Sequence, residues 1–204
     1  MSIIIDDSIS VSNGFPKVEG RNFWIRAVAY IIDFFVLFGL NFISGFIGGV
    51  IFAIVAILTT YILGIELFFE EEEFILDLIC SLIISILYFG LFEGLYGATF
   101  GKLILRMRVI SSNGDPCSLL QAFDRSVLRI IDGILFGLVA YINMKPPVYQ
   151  RLGDKRAGTL VVSANNPIIR KCHERWKFIL ALILFLIFSG LIQMTLTAFY
   201  IRVG

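Results

Sequence analysis

Between Ala27 and Gly101 the chain carries no lysine or arginine, although 17 of its 204 residues are basic. The acids of that stretch are Asp33, Glu66, Glu70, Glu71, Glu72, Glu73, Asp77 and Glu93. Before it three basic residues stand against three acids, two of the basic ones close to the first span, and after it 14 basic residues stand against five acids. Lys and Arg are retained on the cytoplasmic side of a bilayer, so this segregation is that of a chain sorted across one. It predicts a crossing that begins near residue 27, an acidic loop outside, and a return just before Lys102.

Composition excludes a soluble protein: 58% of the residues are hydrophobic and the mean hydropathy is +0.88, too much apolar surface for a dispersed chain of this length. Behind Arg21 and Arg26 the apolar run outlasts a signal-peptide core and lacks a small-residue cleavage site. The first span is therefore expected to stay as an anchor. Cys80, Cys117 and Cys172 form no spaced pattern, which points to a reducing face rather than a disulfide framework. Of the three, Cys80 sits in an apolar run and is the one expected to be buried. His173, the single histidine, stands beside Cys172 without a second ligand pattern, so neither a metal nor a cofactor is expected.

Enzyme chemistry finds no footing. No serine, histidine and aspartate share a defined spacing. The segment Gly97 to Lys102 lacks the gap and the trailing Ser/Thr of a phosphate loop, and it follows a membrane helix rather than a strand. The basic clusters track the membrane surface, which favours anionic lipid headgroups over nucleic acid as partners.

About 20 apolar residues in a helix cross a bilayer core. Ala27–Ile47, Leu78–Ala98 and Phe178–Ile201 meet that requirement, and the basic run before Phe178 sends the last one outward. Two stretches stay open. Val50–Phe69 reads as a further span, a helix leaving the membrane, or a segment on its outer surface, with Gly45, Gly48 and Gly49 offering a break ahead of it. Ile130–Met144 lies between basic clusters and is too short after Asp132 to span straight, so it reads as re-entrant or, if tilted with a snorkelling Arg129, as a crossing. Ser118 and Gln121 form a capping box opening an amphipathic, interfacial helix with Arg125 and Arg129 on its polar side. Leu105–Ile110 and Thr159–Ser163 read as strands that pair.

Three segments, in order, resemble the hallmarks of the RDD family of bacterial multi-pass membrane proteins. One is Phe23-Trp-Ile-Arg26-Ala-Val-Ala-Tyr-Ile-Ile-Asp33. The next is Gly97-Ala-Thr-Phe-Gly-Lys102 with Arg108-Val-Ile and the turn at Gly114. The last is Arg151-Leu-Gly-Asp154-Lys-Arg-Ala-Gly-Thr159-Leu-Val-Val. The resemblance covers about residues 20–163 and implies that Asp154 is the family's second named aspartate. It also implies transport, since some members look like sodium/proton antiporters.

A carboxylate at membrane depth is a functional candidate by default, and on insertion scales it costs about 2.5–3.5 kcal/mol, so it must face protein or water. Asp33 lies two turns from Arg26 on one face. Either it pairs with Arg26 or Arg129 and locks the bundle, or it titrates and couples an ion. Glu93 reaches a similar depth from the same side, so the two acids could meet and share a proton or a cation. Arg129 and Asp132 are spaced for a structural ion pair. Glu70–Glu73 read as a solvated acidic loop or a cation-attracting rim.

The expected fold is an all-α integral membrane protein. It is a small transmembrane bundle of three spans, a fourth left open, with a cytoplasmic-side amphipathic or re-entrant segment. Residues 1–20 form a polar cytoplasmic N-terminus, 21–163 the membrane domain, and 164–204 a basic linker and last span. The expected function is cation/proton transport in the cell inner membrane, with Asp33, Arg26, Glu93 and Asp154 as coupling residues. A monovalent cation and the proton are the expected ligands, and a homo-oligomer the working unit. The alternative is a non-transporting scaffold or assembly factor that binds partners at its basic cytoplasmic face.

Overall fold

The structure is a computed structural model, and it describes residues 19–64, 67–69, 74–133, 137–166, 169 and 174–203. The tetraglutamate Glu70–Glu73, Cys172 and His173 lie outside the described residues. Three helices are long and apolar enough to cross a membrane: α1 (Phe23–Leu63), α2 (Phe74–Leu95) and α7 (Trp176–Phe199). The chain is a helical membrane bundle of the expected kind.

Between these spans lie β1 (Leu67–Phe69), α3 (Phe100–Ile104), β2 (Met107–Ser111), α4 (Leu119–Gly133), α5 (Leu138–Asn143), α6 (Leu152–Ala157) and β3 (Thr159–Ser163), and β4 (Ile201–Val203) closes the series. Both spanning helices α1 and α7 run the same way and α2 runs against them, so α3 through β3 gather at one end of the bundle. That end holds most of the basic residues. At the other end β1 and β4 pair antiparallel, with Phe68 opposite Arg202.

The expected strands do pair: β2 and β3 form an antiparallel ladder with Val109 opposite Val161. Neither α4 nor α5 is long and apolar enough to cross a membrane, and residues 134–136 of the Ile130–Met144 stretch lie outside the described residues.

Helix α1 corrects one expectation. The glycines do not break it; it runs for 41 residues, roughly 61 Å at 1.5 Å per residue, about twice a bilayer core. The reason is visible at Gly45 and Gly48. A Cβ at Gly45 would meet the Gln193 side chain, and one at Gly48 would approach the Met194 side chain. These glycines therefore let α7 close on α1, and the Gln193 amide donates to the Asn41 carbonyl and to Ser44 Oγ, each at 3.3 Å. The helix stops only at Gly64, whose φ of 67° is the left-handed conformation of a helix C-cap.

Helix α4 corrects another. It is amphipathic, but its charged side faces protein rather than the membrane surface: Arg125 is fully buried while Leu120 is 83% exposed. Its arginines turn inward because they find carboxylates there, and its apolar residues Val127, Ile130 and Ile131 are left facing out. Of the two described cysteines, Cys117 is the buried one and Cys80 is only partly covered.

The apolar core joins α2 to α7 through Tyr88, Phe92, Ala181 and Phe185, with Val36 and Leu40 of α1 against it. A second cluster under the β2–β3 ladder holds Ala29, Met107, Val109, Cys117, Ala122 and Val161.

Candidate functional site

The turn after α2 is built around one carboxylate. Gly97 takes a positive φ of 81°, which lets the chain reverse, and Thr99 caps the five-residue α3 in an extended conformation. From this turn Thr99 Oγ1 donates to Asp33 Oδ2 at 2.6 Å and the Gly101 backbone N–H donates to Asp33 Oδ1 at 2.7 Å. Tyr88 of α2 donates its hydroxyl to Asp33 Oδ1 at 2.9 Å. Only glycine fits at position 101, because a Cβ there would collide with the Ala29 carbonyl.

Asp33 therefore pairs with neither Arg26 nor Arg129. It does not meet Glu93 either. All of its hydrogen-bond donors are uncharged. The expected meeting of acids fails because Glu93 is already occupied: Lys102 Nζ bonds its Oε1, Arg129 bonds the same oxygen at 2.8 Å, and Arg125 Nε lies 3.5 Å from Oε2. Arg129 also lies over the Phe89 ring, 3.5 Å from its centroid.

Asp154 forms the second centre. It is the N3 residue of α6 and accepts from the Arg151 N–H at 3.2 Å, closing a capping box. The same carboxylate receives Arg26 at 2.5 Å and Arg125 at 2.9 Å, with Arg151 Nε at 3.7 Å. Arg26 also donates to the Tyr149 carbonyl at 2.9 Å. Arg125 thus bridges Glu93 and Asp154, and ties α4 to both α2 and α6.

The Arg129–Asp132 pair is a further correction. Arg129 turns to Glu93, and Asp132 is left with Arg151 Nε at 3.9 Å and no hydrogen bond to either oxygen. Asp132 is itself only 2% exposed, so burial does not separate the two acids; Arg129 is directed across to α2, where Glu93 takes its guanidinium and the Phe89 ring lies against it.

Outside the spanning helices the electrostatics follow from burial set against these partners. Burial alone would raise the Asp154 carboxyl, but Arg26, Arg125 and Arg151 outweigh it and hold it well below the usual range. Burial pushes Lys102 down to about 7; Glu93 opposes this and the neighbouring arginines reinforce it. Arg125 is held above its ordinary value despite burial, because Glu93 and Asp154 both face it.

Beside this network a cavity of about 480 Å³ opens among α1, α4 and α5. Arg26, Lys102, Arg129 and Arg151 border it together with Asp33 and Asp132, and Phe23, Tyr30, Ile31, Ala140 and Met144 supply its apolar wall. Arg26 and Asp33 do share one face of α1, as their spacing requires, and both reach this space.

Of the four coupling candidates, Arg26 and Asp154 meet each other, Glu93 belongs to the Arg125 cluster, and Asp33 stands apart. Several residues of the site were not singled out from sequence as site residues. Arg125 lies one turn from Arg129 on the polar stripe of α4, which is a usable signal. Lys102 and Arg151 sit inside the family-like segments. Nothing in the spacing points to Tyr88 or Thr99.

The sequence profile of the RDD family matches residues 21–202, so the match takes in the last spanning helix. No curated protein and no solved structure matches the chain.

Proposed function

The chain belongs to the RDD family, a family of membrane proteins, and on that premise we propose that it is a small cation/proton transporter in which Asp33 carries the proton. One observation carries this reading: Asp33 borders the cavity and is held by uncharged donors only. Glu93 and Asp154 each face three cations, so a proton arriving there would break ion pairs. At Asp33 it breaks none.

The coupling works through the turn. Protonation removes the charge that strengthens the bonds Asp33 accepts, so its hold on Tyr88, Thr99 and Gly101 weakens. Loss of the Gly101 or Thr99 bond frees α3 from α1, and Lys102 moves with α3. The cations lining the cavity oppose a second positive charge, so a monovalent cation enters only while Asp33 is ionised, and proton and cation compete for one carboxylate. Glu93, Arg26 and Asp154 set the geometry around it without exchanging protons. The protein sits in the cell membrane with its N-terminus in the cytoplasm, has no enzymatic role, and works as a homo-oligomer, since three spans are few to enclose a pathway.

A second reading has one observation in its favour. Arg106, Lys155 and Arg156 are exposed at the basic end, a surface suited to a scaffold that binds acidic partners without moving ions. Proteoliposomes loaded with a pH-sensitive dye separate the two. The transport reading expects cation-dependent proton flux that Asp33→Asn abolishes while the variant stays folded. Equal flux from wild type and variant excludes Asp33 as the coupling group, and no flux from either leaves the scaffold.

A further inference from the structure

The same cavity carries chemistry that proton coupling does not use. Arg129 is nine-tenths buried and its Nε has no hydrogen-bond partner, and neither oxygen of Asp132, only 2% exposed, accepts one. Arg151 Nε is likewise without a hydrogen bond. Unmet buried polar atoms are costly, and here a donor set and an acceptor border one space of about 480 Å³. A ligand that satisfies them must present an anion to the arginines and hydrogen-bond donors to Asp132.

Charge points the same way. The ion network and the cavity together hold five basic side chains against four carboxylates, an excess of one positive charge whenever Lys102 is protonated. A monoanion balances it.

Position decides what bears that anion. Beside the cavity, Trp24 is 69% exposed, and the aromatic residues Tyr30 and Tyr141 are also exposed. Such amphipathic rings settle at headgroup level. The wall that reaches the outer surface of α1 is apolar, with Ile31 itself exposed. A soluble phosphate would gain nothing from that wall, whereas a lipid would lay its glycerol and first methylenes along it.

We infer that this cavity binds the head of a phospholipid, with the phosphodiester on Arg129 and Arg151 and the donor groups of its alcohol on Asp132. The site stands whether or not the protein moves protons, so it does not rest on the transport reading. Phosphatidylglycerol, with hydroxyl donors and one net negative charge, meets every requirement. Phosphatidylcholine has no donor and fails at Asp132.

The test uses the full chain, purified in detergent and delipidated, with lipid retention read by native mass spectrometry. Phosphatidylglycerol is expected to be retained at least tenfold over phosphatidylcholine. Asp132→Leu, of similar size but with no acceptor, is expected to lower that ratio at least threefold, and Arg151→Gln to reduce retention of both lipids. Equal retention of the two lipids by the unaltered protein overturns the inference, as does an unchanged ratio in Asp132→Leu. Glycerol 3-phosphate that displaces phosphatidylglycerol at equal concentration overturns the lipid assignment in favour of a soluble phosphate. Absent proton flux with the lipid preference intact counts against the transport reading alone.

Discussion

The Gly101 backbone N–H donates to Asp33 Oδ1 across 2.7 Å and ties the short helix after the second span to the first third of α1. A main-chain donor cannot swing away as a side chain can, so the carboxylate and the turn are positioned together. Gly101→Ala would drive a Cβ into the Ala29 carbonyl. It is expected to destabilise the protein by about 1–3 kcal/mol, the usual range for overpacking. Gly39→Ala, on the same helix as Asp33 and with open space around it, is expected to stabilise by roughly 0.5–1 kcal/mol. Thermal unfolding in detergent compares the two.

Arg125 is expected to be the most sensitive single side chain. Removing it by Arg125→Ala strands Glu93 and Asp154 with fewer counter-charges, at about 3–5 kcal/mol for a broken buried network. Arg125→Lys keeps the charge and loses the fork that reaches both acids, so it should recover only part of the loss. Chemical unfolding of both variants checks the order.

Acid should loosen the basic end of the bundle. The Asp154 carboxyl is lowered in the folded protein, from an ordinary value of 3.8. Its contribution to stability is therefore complete above about 3.8 and is lost as the pH falls below that toward the lowered folded value. Asp154→Asn is expected to be less stable at neutral pH and to show a shallower decline on the acid side. Melting temperatures measured across an acid series for both proteins read the difference.

Tyr88→Phe removes one of the donors to Asp33 and leaves the aromatic packing against Phe92 and Phe185 in place. A cost of about 1–3 kcal/mol is expected, as for an acceptor left short of one partner. A cost near zero would mean that water takes the place of the hydroxyl.

The spans were legible because hydropathy is a bulk property: Leu78 to Ala98 reads as a helix whatever it packs against. So were the strands, since alternation at Met107–Ser111 and the turn at Asn113-Gly114 are local signals. Side-chain partners were not. Asp33 and Glu93 sit at comparable depth, yet depth leaves open the direction each faces around its helix, and the Gly97 turn had to be folded before either direction could be seen. Arg129 has a local acid at Asp132 and ignores it for Glu93, a choice made by how α4 packs on α2 rather than by spacing. The glycines near residue 45 look like a break in a string of letters and act as a seat for Gln193 and Met194.

Arg125 draws on one acid made before it and another made after it. While the ribosome is still short of Asp154, the growing chain holds a guanidinium with half its answer, and Glu93 is the one acid of the pair that can draw the charged side of α4 inward. The basic end of the bundle can therefore close only when α6 emerges. A chain cut short between the two should show its unfinished cation to whatever inspects new membrane proteins.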